Sequence, residues 1–212
     1  MHVGIVADIH DAVKPLRTAL SLLRDRGVEQ VVTLGDAFDS FHPGGPSAEV
    51  AALLREAGAV GVWGNHDVGL SHEVTEQMRA GADHALLTFA ARLEPQLVLE
   101  RCRFSHIEPW KDPRRLEDLW GSAQAPDTTE RAQRSFEAVP ERIIFLGHFH
   151  RWLAMSSTGR IEWDGVRPIT LSEPDRYLVV VSAVVDGWCA MFETERSILV
   201  PIPLRQDLPV SL

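Results

Sequence analysis

Met1-His2-Val3-Gly4-Ile5-Val6-Ala7-Asp8-Ile9-His10 is an apolar run of strand length that stops abruptly at an acid and an imidazole. The same punctuation recurs further along. Val31-Val32-Thr33-Leu34 runs into Gly35-Asp36-Ala37-Phe38-Asp39, and Val60-Gly61-Val62-Trp63 into Gly64-Asn65-His66-Asp67. Phe104-Ser105 runs into His106, and Ile143-Ile144-Phe145-Leu146 into Gly147-His148-Phe149-His150. Short apolar runs bounded by glycine and polar residues read as buried strands. Glycines 35, 64 and 147 permit a sharp exit from each strand and a close approach of backbone to whatever the tips hold.

Between the first strands lie helical patterns. Val13, Leu16, Leu20 and Leu23 share one face of a helix over Asp11 to Arg26, and Ser47 caps a second over Ser47 to Ala57. With strands at His2–Ala7, Gln30–Leu34 and Ala59–Trp63, this alternation predicts parallel pairing through crossovers. Ser71 to Leu93 reads as two helical stretches broken near Gly81, and Gln96–Leu99 with Cys102–Ser105 as a hairpin. Residues 107–141 read as loop and helix, a cap or substrate-side wall, with a helix opening at Thr128 or Thr129.

The last third reads as strands: Arg142–Leu146, Arg151–Met155, Arg160–Trp163, Tyr177–Val181, Trp188–Glu193 and Ser197–Ile202, with Asp186-Gly187 as a turn. It predicts a second, largely antiparallel sheet. Two sheets face to face with helices outside make a four-layer α/β/β/α sandwich, one domain over 1–212.

The chain of 212 residues carries a formal charge of -9, which disfavours duplex nucleic acid as a partner. No leader and no membrane-length apolar run is seen, so the expected location is the cytoplasm. Cys102 and Cys189 form no paired motif and read as inert buried thiols.

Ligand sites in α/β sheets form at the carboxyl ends of the strands, so distant tips can converge on one point. In Asp8-Ile9-His10 and His148-Phe149-His150, alternate residues share a face if the backbone is extended, leaving Ile9 and Phe149 to the core. Buried Asp and His packed together without a cation would suffer desolvation and mutual repulsion. Carboxylate, imidazole and amide oxygen without thiolate suit Mn, Fe, Co, Ni or Zn.

The ordered set DxH, GDxxD, GNHD, His and GHxH, spanning Asp8 to His150, resembles the calcineurin-like metallophosphoesterase superfamily, and within it the compact bacterial phosphodiesterase branch. The resemblance implies two divalent metal ions, Mn foremost. Asp8, His10 and His150 would hold the first, and Asn65, His106 and His148 the second, with Asp36 bridging. It also implies in-line attack on a phosphodiester by a metal-bridging hydroxide, with phosphomonoesters as secondary substrates. His66 would protonate the leaving group and Asp39 would orient it, while Asp67 supports the turn. The implied partner is a small phosphorylated molecule, with no membrane, and similar small enzymes often self-associate.

Asp11-Ala12 after the first motif, and the lack of an Asn-Pro-Gly-Ser-like turn after the last, depart from many small members and leave the substrate open. Alternatives are a nuclease or protein phosphatase on the same fold, or a scaffold that binds partners without catalysis. An HxHxDH motif, which a metallo-β-lactamase-like enzyme would need, is absent. His42 and the group Trp110, Lys111, Arg114 and Arg115 are further substrate-facing candidates, with a surface loop and a solvated charge run as the plainer readings. Trp152, Trp163 and Trp188 read as core.

Overall fold

The computed structural model describes residues 1–39, 45–121 and 124–205. Strands β1 (His2–Val6), β2 (Gln30–Leu34) and β3 (Val60–Val62) alternate with helices α1 (Val13–Asp25) and α2 (Ser47–Glu56). β1 pairs in parallel with β2, and β2 with β3, as the alternation predicts. A one-turn helix (Asn65–Asp67), α3 (Glu76–Gly81) and α4 (His84–Ala90) follow, then the hairpin β4 (Gln96–Leu99) and β5 (Cys102–Ser105). α5 (Leu116–Trp120) and α6 (Thr129–Ala138) precede β6 (Ile143–Leu146). The remainder is β7 (Leu153–Ser156), β8 (Gly159–Arg160), β9 (Ile169–Thr170), β10 (Tyr177–Val180), β11 (Trp188–Glu193) and β12 (Ile198–Pro203).

The two sheets run β3-β2-β1-β11-β12-β9 and β4-β5-β6-β10-β7-β8. The last third therefore does not form a sheet of its own. β11, β12 and β9 extend the first sheet past β1 in antiparallel order, while β7, β8 and β10 complete the second. Both sheets are mixed, because β5, β6 and β10 pair in parallel. Side-chain alternation sets a strand's faces but is silent on which open edge the strand will join.

Alternation also builds the layers. Val3, Ile5, Val32 and Leu34 of the first sheet meet Phe145, Tyr177 and Val179 of the second in one buried cluster. Phe145 packs on both Phe104 and Phe192, at ring-centroid distances of 5.3 and 5.2 Å. The outward residues of the first sheet pack under α1, α2 and α4 through Leu16, Leu23, Leu54 and Phe89. On the other side, Ile144, Leu146, Leu178 and Val180 receive Ala132 and Phe136 of α6. Strands covered on both faces lose their polar residues and read as continuous apolar runs, which is why they stand out in the sequence.

Some ends shift for local reasons. α1 begins at Val13 because Asp11 is drawn into a loop at φ 58°. Ser47 does not cap α2; its hydroxyl donates to the Asp11 carboxylate instead. The second stretch of 71–93 starts anew at Asp83, whose carboxylate accepts from the amides of Ala85 and Leu86. β8 stops at Arg160, and Trp163 turns to pack on Trp152, which also meets Trp188. All three indoles are half-buried rather than core. Cys102 and Cys189 are free and buried, and burial pushes both thiols up to about 12. No helix among the described residues is long and apolar enough to cross a membrane.

Candidate metal centre

Five strand ends meet at one edge of the sandwich: β1, β2 and β3 from the first sheet, β5 and β6 from the second. Backbone bonds lace their loops together. The amides of Ile9 and His10 both donate to the Asp36 carbonyl, at 2.8 and 3.0 Å, and Asp8 N–H donates to the Gly35 carbonyl. Asp67 is fully buried and accepts from Phe38 N–H and Gly64 N–H, at 2.9 and 2.8 Å, so it ties the second loop to the third. Asp36 accepts from His66 N–H at 2.8 Å, and Asp8 from His148 N–H at 3.0 Å.

The extended backbone expected for Asp8-Ile9-His10 and His148-Phe149-His150 is not found. Asp8, His10, His148 and His150 have φ of 50, 46, 71 and 50°, and Asp36 joins them at 50°. Each loop curls as it leaves its strand. Ile9 and Phe149 still point into the core, but through this curl rather than strand alternation. Left-handed backbone at a non-glycine residue costs about 1–3 kcal/mol and persists where the surroundings over-determine it. With Asp11 at 58°, six such residues gather in these loops. The loops also sit too close for larger residues: a Cβ on Gly64 would meet Asp36 Oδ1 at 2.2 Å.

Two donor groups result. In the first, His10 Nε2 lies 3.2 Å from His150 Nε2, and His150 Nε2 lies 3.7 Å from Asp8 Oδ1. In the second, His106 Nε2 lies 3.0 Å from Asn65 Oδ1 and 3.1 Å from His148 Nδ1. Asp36 Oδ2 faces both groups, 3.8 Å from His10 Nε2 and 3.4 Å from His106 Nε2. Ligands held at about 2.0–2.2 Å from one ion stand about 3–3.5 Å apart, so these spacings fit two cations. Facing imidazole nitrogens at 3.2 Å otherwise need a shared proton.

The electrostatics agree with that fit. Burial pushes the Asp8 carboxyl well above the usual range, and the Asp36 charge adds to it against the pull of His106. Burial also acts to raise Asp36, but His106, the His66 amide and His10 together outweigh it and hold that carboxyl well below its ordinary value. Burial and the Asp36 charge push Asp67 up to about 7. His106 would be lowered by burial, yet Asp36, with Asp8 and the Leu34 carbonyl, raises it to about 9. Burial lowers His10. Buried charges so opposed are those that bound cations relieve.

Outer contacts fix the ring orientations. His106 Nδ1 donates to the Leu34 carbonyl at 2.8 Å, which turns Nε2 inward. His150 Nδ1 meets Asp186 Oδ2 at 3.0 Å and does the same. In the sequence, Asp186 reads only as part of a turn. Its link to the centre is three-dimensional: Val184 N–H donates to the Ala7 carbonyl, bringing the β10–β11 turn onto the first loop. A carboxylate behind a ligating histidine is worth about 10–100-fold in metal affinity. Asp186→Ala should therefore weaken metal binding by about tenfold, given its exposed position, in a chelator-competition titration. Unchanged affinity would remove that role.

His66 carries its ring into the same space, with Nδ1 3.6 Å from Asp39 Oδ1. His10, Asp39 and His66 form a third group of close donor atoms. The other substrate-facing candidates make contacts of their own. Arg134 lies over the Trp110 ring at 3.7 Å, and Lys111 pairs with the buried Glu108, which also binds Arg131. Arg114 and Arg115 make surface pairs with Asp112 and Glu117. His42 lies outside the described residues.

Comparison with known proteins agrees with the geometry. Residues 1–167 match the model of the calcineurin-like phosphoesterase superfamily domain. A metallophosphoesterase from Sphaerobacter thermophilus superposes with a TM-score of 0.74 at 22% identity, over 97% of this chain and 88% of that one. A solved archaeal phosphodiesterase superposes with a TM-score of 0.55 at 14% identity, over 96% of this chain and 99% of that one. An uncharacterized protein of Methanocaldococcus jannaschii is 24% identical over 193 residues, 84% of this chain and 73% of that relative. The chain belongs to the calcineurin-like phosphoesterase superfamily, whose members are metal-dependent phosphoesterases.

Proposed function

We propose that the protein is a dinuclear-metal hydrolase of small phosphodiesters, with phosphomonoesters as secondary substrates. The observation that carries this reading is the place of Asp36 Oδ2, facing both donor groups at 3.8 and 3.4 Å. Asp8, His10 and His150 would hold one ion and Asn65, His106 and His148 the other, with Asp36 placed to serve both. When bound, a pair of divalent ions supplies a nucleophile at neutral pH and neutralises phosphoryl charge. Manganese is the first metal to try, and Fe, Ni, Co and Zn suit the same donors.

The chain's own residues supply the rest. An oxygen from water forms the new P–O bond, with a proton released to solvent, as the ester P–O bond breaks. His66, with Nδ1 turned to Asp39, delivers a proton from Nε2 to the departing oxygen. The products are a phosphomonoester and an alcohol. Within 107–141, α5 then serves as the substrate-side wall of a single domain, supported by its packing on the Asn65–Asp67 turn, while α6 covers the second sheet.

The net charge of -9 argues against a long polyanionic substrate, and so against a nuclease. A scaffold role gains nothing from the site, since every donor of both groups is present. The deciding experiment strips the protein with chelator, restores Mn, and reads metal content beside hydrolysis of bis(p-nitrophenyl) phosphate and a panel of natural diesters. Two ions per chain with hydrolysis is expected. Two ions with no hydrolysis under any of the five metals would favour the scaffold.

A further inference from the structure

Trp120 ends α5 and is 47% exposed. The other indoles pack away from the centre: Trp63 is buried and stacks on His72, Trp110 lies under Arg134, and the remaining three pack on one another. A lone exposed apolar residue needs no explanation by itself. The position of this one does, because its ring centroid lies 5.3 Å from that of His66 at an angle of 50°. The His66 ring also touches His10, 4.7 Å away and edge-on. The same imidazole thus borders both the donor cluster and an exposed indole.

The inference rests on the phosphodiesterase reading, in which His66 protonates the leaving oxygen. That oxygen must come within about 2.6–3.2 Å of the imidazole. A group carried by that oxygen on the side of the imidazole towards Trp120 then comes within reach of the indole. An indole offers a flat, uncharged face, which stacks well on another ring and gains less from a short alkyl group.

We infer that Trp120 is a specificity-determining residue that stacks on a planar ring carried by the leaving group. Two sources share that chemistry, a nucleoside and a simple aryl alcohol.

The test uses the full, Mn-loaded chain and three methyl phosphodiesters whose second groups are p-nitrophenyl, adenosyl and trifluoroethyl. Trp120→Ala is expected to lower kcat/KM on a ring-bearing ester by about tenfold more than on the trifluoroethyl ester, and Trp120→Phe to recover most of the difference. Loss on the adenosyl ester identifies a nucleoside, and loss on the nitrophenyl ester alone identifies a small aryl group. An equal loss on all three would make Trp120 a prop for His66 and overturn the inference, as would no loss at all. Metal content equal to the parent shows that the variant is folded at the site. A second readout is calorimetric binding of adenosine and p-nitrophenol to metal-stripped protein, expected to weaken about tenfold in Trp120→Ala. Trp120-dependent binding without hydrolysis of any ester would sink the phosphodiesterase reading. Hydrolysis indifferent to Trp120 would sink only the stacking.

Discussion

Asp36→Asn should release metal from both positions and abolish hydrolysis. One carboxylate oxygen of Asp36 faces His10 and His106, while the other accepts the His66 amide at 2.8 Å. An asparagine can keep the second contact through its amide oxygen, so the loop that carries His66 retains its tie. What it cannot keep is the negative charge shared between the two donor groups. Asp8 would then be the sole acidic ligand for two divalent ions. Removing a supporting contact costs about 10–100-fold in metal affinity, and loss of a shared ligand should exceed that at each position. Elemental analysis after dialysis against buffered Mn should show well under one ion per chain, beside a parent that keeps two. Two ions still bound to Asp36→Asn would remove the bridge. Loss of one ion alone would assign Asp36 to a single group.

Much of this centre is legible in the order of the amino acids, for a definite reason. The strands that position it are buried on both faces, so Val3 to Val6 and Ile143 to Leu146 are uninterrupted apolar runs whose ends are unmistakable. The donors follow at once because the site lies where the strands stop. What escapes the sequence is whatever depends on one loop meeting another. The left-handed backbone at Asp8, His10, Asp36, His148 and His150 arises from the lacing of neighbouring loops, which no local propensity encodes for these residues. Asp186 looks like half of a turn until the β10–β11 connection folds onto the first loop and places it behind His150. Asp67 shows the same limit, since its two amide partners lie on different loops. The sheet that β11 and β12 join also depends on an edge of β1 that a strand pattern does not encode.

His66→Ala should keep both ions and lose about 10²–10⁴ in rate on diesters with alkyl leaving groups. The retention of metal follows from geometry: His66 belongs to neither of the groups that Asp36 joins. The close approach of His10, Asp39 and His66 offers a competing arrangement, in which His66 would itself hold a cation. The two accounts separate cleanly, because a ligand's loss lowers metal content whereas a proton donor's loss does not. The proton-donor role makes a further demand on the leaving group. A nitrophenolate departs readily without protonation, and an alkoxide does not. The loss on bis(p-nitrophenyl) phosphate should therefore be much smaller than on an alkyl diester, and a plot of log rate against leaving-group pKa should steepen in the variant. Asp39→Asn should show the same pattern in weaker form, since it acts through the orientation of the ring 3.6 Å away. Parallel plots for His66→Ala and the parent, with both metals retained, would mean that the proton comes from elsewhere.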